Sequence, residues 1–221
     1  MNKLNQTLLK FELDQNFNYN DYFVSKCNYF AFSLIESWPN WEKNILNIYG
    51  EKFSGKSHLS EIFKKKNKAV IIKTDEINDE FFSKIRFHEN IILDNLEYIS
   101  NEKILYSIFN FTEQFNKYLI INSIKPINLI NFTLPDLKSR LKNCIFAKID
   151  KPDDDMIFAL VLKHFSDRQI KIEKKMIDYI TKRIERSYGK ILDFIYKVDQ
   201  YSLINKKPID YKSIKKILEN N

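Results

Sequence analysis

The stretch IYGEKFSGKS, residues 48–57, decides the fold. It matches the pattern G-x-x-x-x-G-K-[ST] in full, and it stands between an apolar run at 44–49 and a helical pattern at 57–66. In a strand–loop–helix setting, glycines let consecutive backbone amides converge on phosphate oxygens, while the lysine and the hydroxyl reach the outer phosphates and Mg²⁺. The stretch therefore predicts a phosphate-binding loop. Its predicted binding residues are Gly50, Ser54, Gly55, Lys56 and Ser57.

Two residues at the end of a later apolar run qualify that prediction. Asp94 ends NIILD (90–94), where a carboxylate together with Ser57 predicts a Mg²⁺ site. Asn95 follows, at the position where efficient NTPases often carry an acid that activates the attacking water. An amide can hydrogen-bond that water but cannot act as its base. The sequence thus predicts that ATP or ADP is held, with weak or absent intrinsic hydrolysis.

Apolar runs alternate with helical patterns through the first 150 residues. The runs at 44–49, 69–73, 90–94, 117–122 and 144–149 are apolar on both faces, and helical patterns lie at 28–37, 57–66, 75–83 and 101–115. This alternation predicts an α/β fold, a parallel sheet covered by helices on both sides. From residue 151 onward only helical patterns occur, which predicts a small all-helical C-terminal subdomain. The expected division is 1–15, 16–150 and 151–221.

Composition restricts the class of protein. The net charge of +7 comes mainly from scattered lysines, which favours a solvating surface over sequence-specific DNA recognition. The two cysteines and three histidines show no metal-ligand or disulfide spacing. No apolar run reaches the roughly 18 residues of a membrane span, and the N-terminus lacks a secretory pattern. The sequence therefore predicts a cytoplasmic protein with no membrane partner.

Several segments together resemble the AAA+ replication-initiator family, the DnaA-like proteins, and more closely their shorter Hda-like group. YFVSKCNYFAFSLIE (22–36) looks like the segment that lines the adenine pocket, with Val24 and Asn28 in place and Lys26 departing from the usual small residue. GEKFSGKSHL is similar to the family's Walker A motif, including His58. IILDNLEYI resembles Walker B, with Asn95 replacing the second acid. The resemblance implies an AAA+ P-loop domain followed by a lid.

Three further segments carry the family's sensing residues. LIINSIKPI (119–127) resembles sensor 1, which implies that Asn122 and Ser123 reach a phosphate or a water. LPDLKSRL (134–141) is similar to the Hda-like motif, which implies that Arg140 is an arginine finger acting in trans. RSYGKILDFIYKVDQ (186–200) resembles the sensor 2 helix, with Lys190 where arginine is usual. Lysine lacks the planar fork of arginine, so phosphate sensing would be weaker.

The first residues resemble a clamp-binding peptide. QTLLKF (6–11) fits Q-x-x-L-x-[LF], which implies that Gln6, Leu9 and Phe11 anchor the chain on the DNA polymerase sliding clamp. The sequence ends shortly after the predicted lid, and we expect no room for the DNA-binding domain of a full-length initiator. DNA contact is therefore expected to be indirect or non-specific.

The resemblance implies an adaptor that binds adenine nucleotide, docks on the initiator DnaA and promotes hydrolysis of the initiator's ATP, a negative regulator of replication initiation. Two alternatives stay open: a self-sufficient DNA-remodelling or helicase-loader-like ATPase, and a P-loop kinase or transferase. Self-association and the identity of the retained nucleotide are also left open.

Overall fold

A five-stranded parallel sheet forms the centre of the computed structural model, which describes residues 19–74, 77, 81–99, 101–205 and 209–219. The strand order is β2-β3-β4-β1-β5, and every neighbouring pair is parallel. Strands β3, β4 and β1 therefore have a neighbour on both sides, and β2 and β5 are the outer strands. The strands are β1 (Ile45–Tyr49), β2 (Val70–Lys73), β3 (Asn90–Asp94), β4 (Tyr118–Ser123) and β5 (Ile145–Lys148).

Helices connect the strands and then continue alone to the end of the described chain. Those of the sheet region are α1 (Tyr29–Ser37), α2 (Lys56–Asn67), α3 (Phe81–Arg86), α4 (Glu102–Gln114) and α5 (Pro135–Leu141). Those after β5 are α6 (Asp154–Asp167), α7 (Lys174–Thr181), α8 (Tyr188–Asn205) and α9 (Tyr211–Glu219). No helix in the described ranges combines the length and apolarity needed to cross a bilayer.

Successive side chains of a strand point to opposite sides of the sheet, so an apolar strand needs a helical layer on each side. Both layers are present here. Ile91 and Leu93 pack in one hydrophobic cluster with side chains of α3, α4 and α5. Ile92, between them, packs in a second cluster with side chains of α1 and α2. Continuous apolar runs are therefore what this two-sided sheet requires, and the predicted α/β fold is confirmed.

Helix α5 was not assigned from the sequence, and a distant carboxylate stabilises its start. Glu102, the first residue of α4, accepts hydrogen bonds from the backbone N–H groups of Thr133 at 2.8 Å and Leu134 at 3.0 Å, and from the Thr133 hydroxyl at 2.9 Å. These bonds, with that of Leu134 first, lower the pKa of Glu102. The start of α5 is thus fixed by a residue more than 30 positions earlier.

The helices after β5 enclose a third hydrophobic cluster. Asp153 caps α6 by accepting a hydrogen bond from the Met156 N–H at 2.8 Å, as its position before the helix predicts. Ile157, Phe165 and Phe194 are among the side chains buried between α6, α7, α8 and α9. In the described residues beyond Lys148 every regular element is helical. The helical C-terminal region is confirmed, whereas the boundary at residue 150 remains a prediction.

The predicted elements agree with the observed ones to within a few residues, except between β2 and β3. A helix was predicted at 75–83, but α3 spans Phe81–Arg86, and residues 75, 76 and 78–80 lie outside the described part. The predicted strands at 44–49, 69–73, 117–122 and 144–149 each start one residue early. Ladder pairing begins only where a neighbouring strand is present, which an apolar pattern cannot reveal.

Candidate functional site at the carboxyl edge of the sheet

The phosphate loop links β1 to α2 at the carboxyl edge of the sheet. Gly55 has φ +92° and Phe53 has φ 67°, both in the left-handed region. A Cβ on Gly50 would lie 2.8 Å from the carbonyl oxygen of Ile149, so only glycine fits beside that backbone. Ser54 is 4% exposed and its N–H donates to the Glu51 carbonyl at 3.3 Å. The loop thus has the tight curl that the sequence predicted.

Lys56 folds back over its own loop. Its Nζ donates hydrogen bonds to the carbonyl oxygens of Gly50 and Glu51, each at 2.8 Å. Burial lowers the pKa of Lys56 from its ordinary value, and the negative charges of Glu97, Asp94 and Glu51 oppose that shift. The ammonium therefore sits in the loop with neutral carbonyls as acceptors, where an anionic phosphate would be a stronger partner.

Asp94 collects hydrogen bonds from two other segments. The Ser57 hydroxyl donates to Asp94 Oδ2 at 2.9 Å, and Asn122 Nδ2 donates to Asp94 Oδ1 at 2.9 Å. Asn122 also donates to Ser60 Oγ at 2.8 Å, and its own Oδ1 is buried without a hydrogen-bond partner in the described residues. Hydroxyl and carboxylate oxygens are the ligands that Mg²⁺ prefers. Ser57 and Asp94 form such a pair directly beside the phosphate loop.

The structure separates the two predicted sensor 1 residues. Asn122 reaches Asp94, whereas the Ser123 hydroxyl donates to the Lys125 carbonyl at 2.7 Å and accepts from Asn47 Nδ2 at 2.9 Å. Adjacent residues of a strand face opposite sides of the sheet, so only one of this pair can face Asp94. The Ser123 side chain therefore bonds to β1 and to the loop that follows β4, while its carbonyl accepts a hydrogen bond from the Gly50 N–H of the phosphate loop at 3.2 Å.

Asn47 is a residue of the site that the sequence analysis missed. It is fully buried in β1, where Nδ2 donates to the Ile121 carbonyl and to Ser123, and Oδ1 accepts from the Ile127 N–H at 2.9 Å. These bonds join β1 to β4 and to the loop after Asn122. The signal for it was a polar residue inside the apolar run NILNIY.

The backbone conformation at position 95 favours an asparagine there. Its φ of 60° and ψ of 52° lie in the left-handed region, which asparagine and aspartate tolerate better than other residues with a Cβ. Its carbonyl accepts a hydrogen bond from the Thr74 hydroxyl, and its N–H donates to Asp94 Oδ1 at 3.1 Å. The turn at Asn95 therefore also helps to orient Asp94.

The segment before α1 packs against the phosphate loop. Asn28 is 2% exposed, with Oδ1 accepting from the Ser25 N–H at 2.8 Å and Nδ2 donating to the Phe23 carbonyl at 2.9 Å, so it folds residues 23–28 into a turn. Val24 is half-buried within this turn. A Cβ on Gly55 would lie 3.3 Å from the ring of Tyr22, whose centroid is 5.2 Å from that of His58.

Helix α8 begins beside the loop. The Ser187 hydroxyl donates to Glu51 Oε1 at 3.0 Å, and the Tyr188 N–H donates to the same oxygen. Lys190 is half-buried in the first turn of this helix. The structure therefore brings the predicted sensor 2 region next to the phosphate loop.

Arg140 lies at the opposite edge of the sheet. It forms an ion pair with Glu113 near the end of α4, and its guanidinium lies 5.4 Å from the Tyr106 ring centre. Helix α4 ends just before β4 begins, and α5 ends just before β5 begins. A five-residue strand spans about 17 Å, which separates these starts from the carboxyl edge. Arg140 is thus not brought to the chain's own phosphate loop.

A further pair of contacts agrees with that placement. Asn44, directly before β1, and Asn116, two residues before β4, are joined by a hydrogen bond of 2.8 Å. Cys144, directly before β5, is buried, which raises the pKa of its thiol to about 12, and the charges of Lys43 and Glu113 act on it. Glu113 therefore lies at the amino edge of the sheet, the edge at which the strands begin. The predicted clamp anchors Gln6, Leu9 and Phe11 lie outside the described residues.

A parallel sheet of this strand order, with a phosphate loop after β1 and helices beyond β5, is an AAA+ P-loop fold. Domain III of the replication initiation protein DnaA from Thermotoga maritima matches it with a TM-score of 0.76 at 16% identity, covering 94% of this chain and 98% of that one. A structure of the replication initiator DnaA bound to AMPPCP and single-stranded DNA matches with a TM-score of 0.67 at 18% identity, covering 85% and 67%. The Thermotoga maritima RuvB Holliday junction branch migration motor matches with a TM-score of 0.60 at 16% identity, covering 80% and 61%.

Sequence comparison identifies the particular relatives. The chain is 24% identical to the chromosomal replication initiator protein DnaA of Caldanaerobacter subterraneus subsp. tengcongensis over 99% of its own length and 55% of the relative's. It is 20% identical to that of Cutibacterium acnes over 94% and 47%. The chain thus spans about half the length of the curated relatives it matches. No protein-family model matches it. The predicted resemblance to the DnaA-like replication-initiator family is confirmed.

Asn47 provides a test of how this edge is held together. We expect Asn47→Ala to lower the free energy of unfolding by about 1–3 kcal/mol, because it leaves the buried Ile127 N–H and Ser123 hydroxyl short of a partner. Urea unfolding followed by circular dichroism measures the change. Asn44→Ala, which removes one exposed hydrogen bond, is the matched control and should change stability less. Equal effects of the two substitutions would contradict this role of Asn47.

Proposed function

We propose that the chain is an Hda-like AAA+ adaptor that holds an adenine nucleotide and promotes hydrolysis of ATP bound to a partner initiator of the DnaA type. In this function it would lower the amount of active initiator and so restrain replication initiation. The single observation that carries the proposal is the position of Arg140 at the edge of the sheet opposite the chain's own phosphate loop. The loop has the groups to hold a nucleotide, while Arg140 lies where β5 begins.

The nucleotide-holding part of the proposal rests on the loop and its neighbours. Backbone amides of Gly50–Ser57 and the ammonium of Lys56 would bind the phosphates, and the turn at Val24–Asn28 would border the base. His58, Asn122 and Lys190 lie around the same loop and would complete the site. The DnaA structure that resembles this chain was solved with AMPPCP, an ATP analogue. ATP and ADP are both candidate ligands.

Ser57 and Asp94 would hold Mg²⁺ beside those phosphates. Their oxygens are 2.9 Å apart, and both are hard donors suited to this ion. When bound, the ion neutralises the charge of the phosphate chain. Asn122 would keep Asp94 in place through its hydrogen bond to Oδ1.

The acting part of the proposal rests on Arg140. A guanidinium placed on the γ-phosphate of another subunit can raise the hydrolysis rate by about 10³–10⁵. Glu113 neutralises Arg140 in the isolated chain, and an exposed ion pair of this type is weak, worth about 0–1 kcal/mol. Exchange of this carboxylate for a triphosphate is therefore energetically accessible. Asn95 agrees with hydrolysis taking place in the partner, because the chain's own site then needs only to retain its nucleotide.

The third part of the proposal is a tether to the sliding clamp. Residues 6–11 would bind the sliding clamp through Gln6 in a polar subsite and through Leu9 and Phe11 in an apolar one. That contact would bring the adaptor to DNA without direct recognition of bases.

A self-sufficient DNA-remodelling ATPase is the second candidate. The fold similarity to the RuvB branch migration motor favours it, since that protein is a motor on DNA. The two functions differ in where ATP is consumed. The adaptor stimulates turnover in its partner, whereas a motor hydrolyses its own ATP and responds to DNA.

Arg140→Ala tests the finger. With clamp-loaded DNA and ATP-bound initiator, we expect wild-type protein to accelerate ADP formation and the variant to lose that acceleration, because the γ-phosphate loses its guanidinium. Arg183→Ala is the control, since Arg183 also stacks on a tyrosine ring, 3.9 Å from the centroid of Tyr179, but lies among the C-terminal helices. Full stimulation by Arg140→Ala would refute the finger.

The tether is tested by replacing Gln6, Leu9 and Phe11 together with alanine. We expect this variant to lose binding to the purified sliding clamp in a biolayer or calorimetric titration, because the anchors of a short peptide provide most of its affinity. Leu8→Ala changes the same segment at a non-anchor position and should bind as wild type. Retained binding by the triple variant would remove the clamp from the proposed function.

Asn95→Asp distinguishes the two candidate functions. A carboxylate can act as base and asparagine cannot, so intrinsic ATP turnover of the isolated chain should rise by about 10²-fold or more. Aspartate also tolerates the left-handed backbone of residue 95, and Asn95→Ala serves as the control that adds no base. A wild-type chain that already hydrolyses ATP rapidly, and faster with single-stranded DNA, would favour the motor instead.

A further inference from the structure

We propose that Glu51 is a positioning residue that fixes the first turn of α8 against the phosphate loop and thereby sets the place of Lys190 relative to a bound nucleotide. The inference rests on the proposed nucleotide-holding function and identifies how the loop and the C-terminal helices communicate. Glu51 is the second residue of the loop motif, a position that the motif leaves unspecified.

The contact joins residues more than 130 positions apart. Glu51 Oε1 accepts hydrogen bonds from the Ser187 hydroxyl at 3.0 Å and from the Tyr188 N–H. Tyr188 is the first residue of α8, and the first N–H groups of a helix have no acceptor within it. A carboxylate at this end also interacts favourably with the helix dipole. Glu51 therefore caps the helix from a different part of the chain.

The same glutamate is joined to Lys56 through its backbone. The Glu51 carbonyl accepts from Lys56 Nζ at 2.8 Å, and its side chain accepts from α8. When a phosphate replaces the carbonyls of Gly50 and Glu51 as the partner of Lys56, the Glu51 carbonyl loses its hydrogen bond from the lysine ammonium. A change in the loop is thus transmitted directly to the start of α8.

The remaining contacts of this turn explain why the position matters. The Tyr188 side chain is 2% exposed, and its hydroxyl donates to the Asp150 carbonyl at 3.3 Å and lies 3.3 Å from Cys27 Sγ. The Phe53 ring lies 4.0 Å from where a Cβ on Gly189 would stand. Tyr188 thus joins α8 to the connection between β5 and α6, and Glu51 joins α8 to the phosphate loop. Lys190 lies in the same helical turn, so the contacts of Tyr188 and Glu51 also fix its position.

Hydrogen exchange and nucleotide release together test the proposal. In Glu51→Ala we expect faster amide exchange at the first turn of α8 in nucleotide-free protein, and release of fluorescent ADP about tenfold faster, as loss of one charge-assisted hydrogen bond predicts. Glu51→Gln keeps an acceptor oxygen and should restore most of both properties. Glu185→Ala removes an exposed glutamate just before Ser187 and should leave both unchanged.

A double variant separates positioning from local stability. If Glu51 acts through Lys190, Glu51→Ala combined with Lys190→Ala should release ADP no faster than the more affected single variant. Multiplicative effects of the two substitutions, or unchanged exchange at α8 in Glu51→Ala, would overturn the proposal. A wild-type chain that binds no adenine nucleotide would refute the proposed function, and the exchange measurement would still decide whether Glu51 holds α8.

Discussion

The hydrogen bonds that converge on Asp94 are the interaction on which the rest of this site depends. Ser57 from the start of α2 and Asn122 from the end of β4 each donate to one of its two oxygens. Asp94 is only 8% exposed, so an unpaired carboxylate there would be strongly unfavourable. These bonds fix the start of α2, and hence the curl of the phosphate loop, relative to two strands. The loop alone would lack such support.

The parallel sheet imposes a second constraint, since it separates the two edges by the length of a strand. The phosphate loop, Asp94 and Asn122 lie at the carboxyl edge, because β1, β3 and β4 end there. Arg140 and Glu113 lie where β4 and β5 begin. The proposed nucleotide site and Arg140 therefore lie on opposite sides of one fold. The adaptor that we propose uses both edges.

The junction at Tyr188 links the sheet to the C-terminal helices. Its hydroxyl bonds to the Asp150 carbonyl, and Cys27, beside it, accepts the Asp150 N–H through its own carbonyl at 2.8 Å. Asp153 both caps α6 and accepts from the Cys27 N–H at 3.2 Å. The turn before α1, the end of β5 and the start of α8 therefore meet at one place. In the function that we propose, a nucleotide bound at the neighbouring phosphate loop would act on segments that are already joined to one another.

Local sequence patterns were enough to predict the fold class, the phosphate loop and a shared site for Ser57 and Asp94. These follow from local periodicity and from a motif whose residue spacing is dictated by backbone geometry, so no tertiary information is needed. The sequence also identified Asn95 and Arg140 as informative, because each stands within a recognisable segment. Asn122 was recognised on the same grounds, together with Ser123, in the segment that resembles sensor 1.

Only the tertiary structure decided which partners these residues meet. The opposite orientation of Asn122 and Ser123, the buried hydrogen bonds of Asn47 and the capping of α5 by Glu102 all depend on segments distant in the sequence. Glu51 illustrates the point best, since its motif position is unspecified and its partners lie more than 130 residues away. A motif encodes backbone shape, whereas a hydrogen bond between distant segments exists only once the chain has folded.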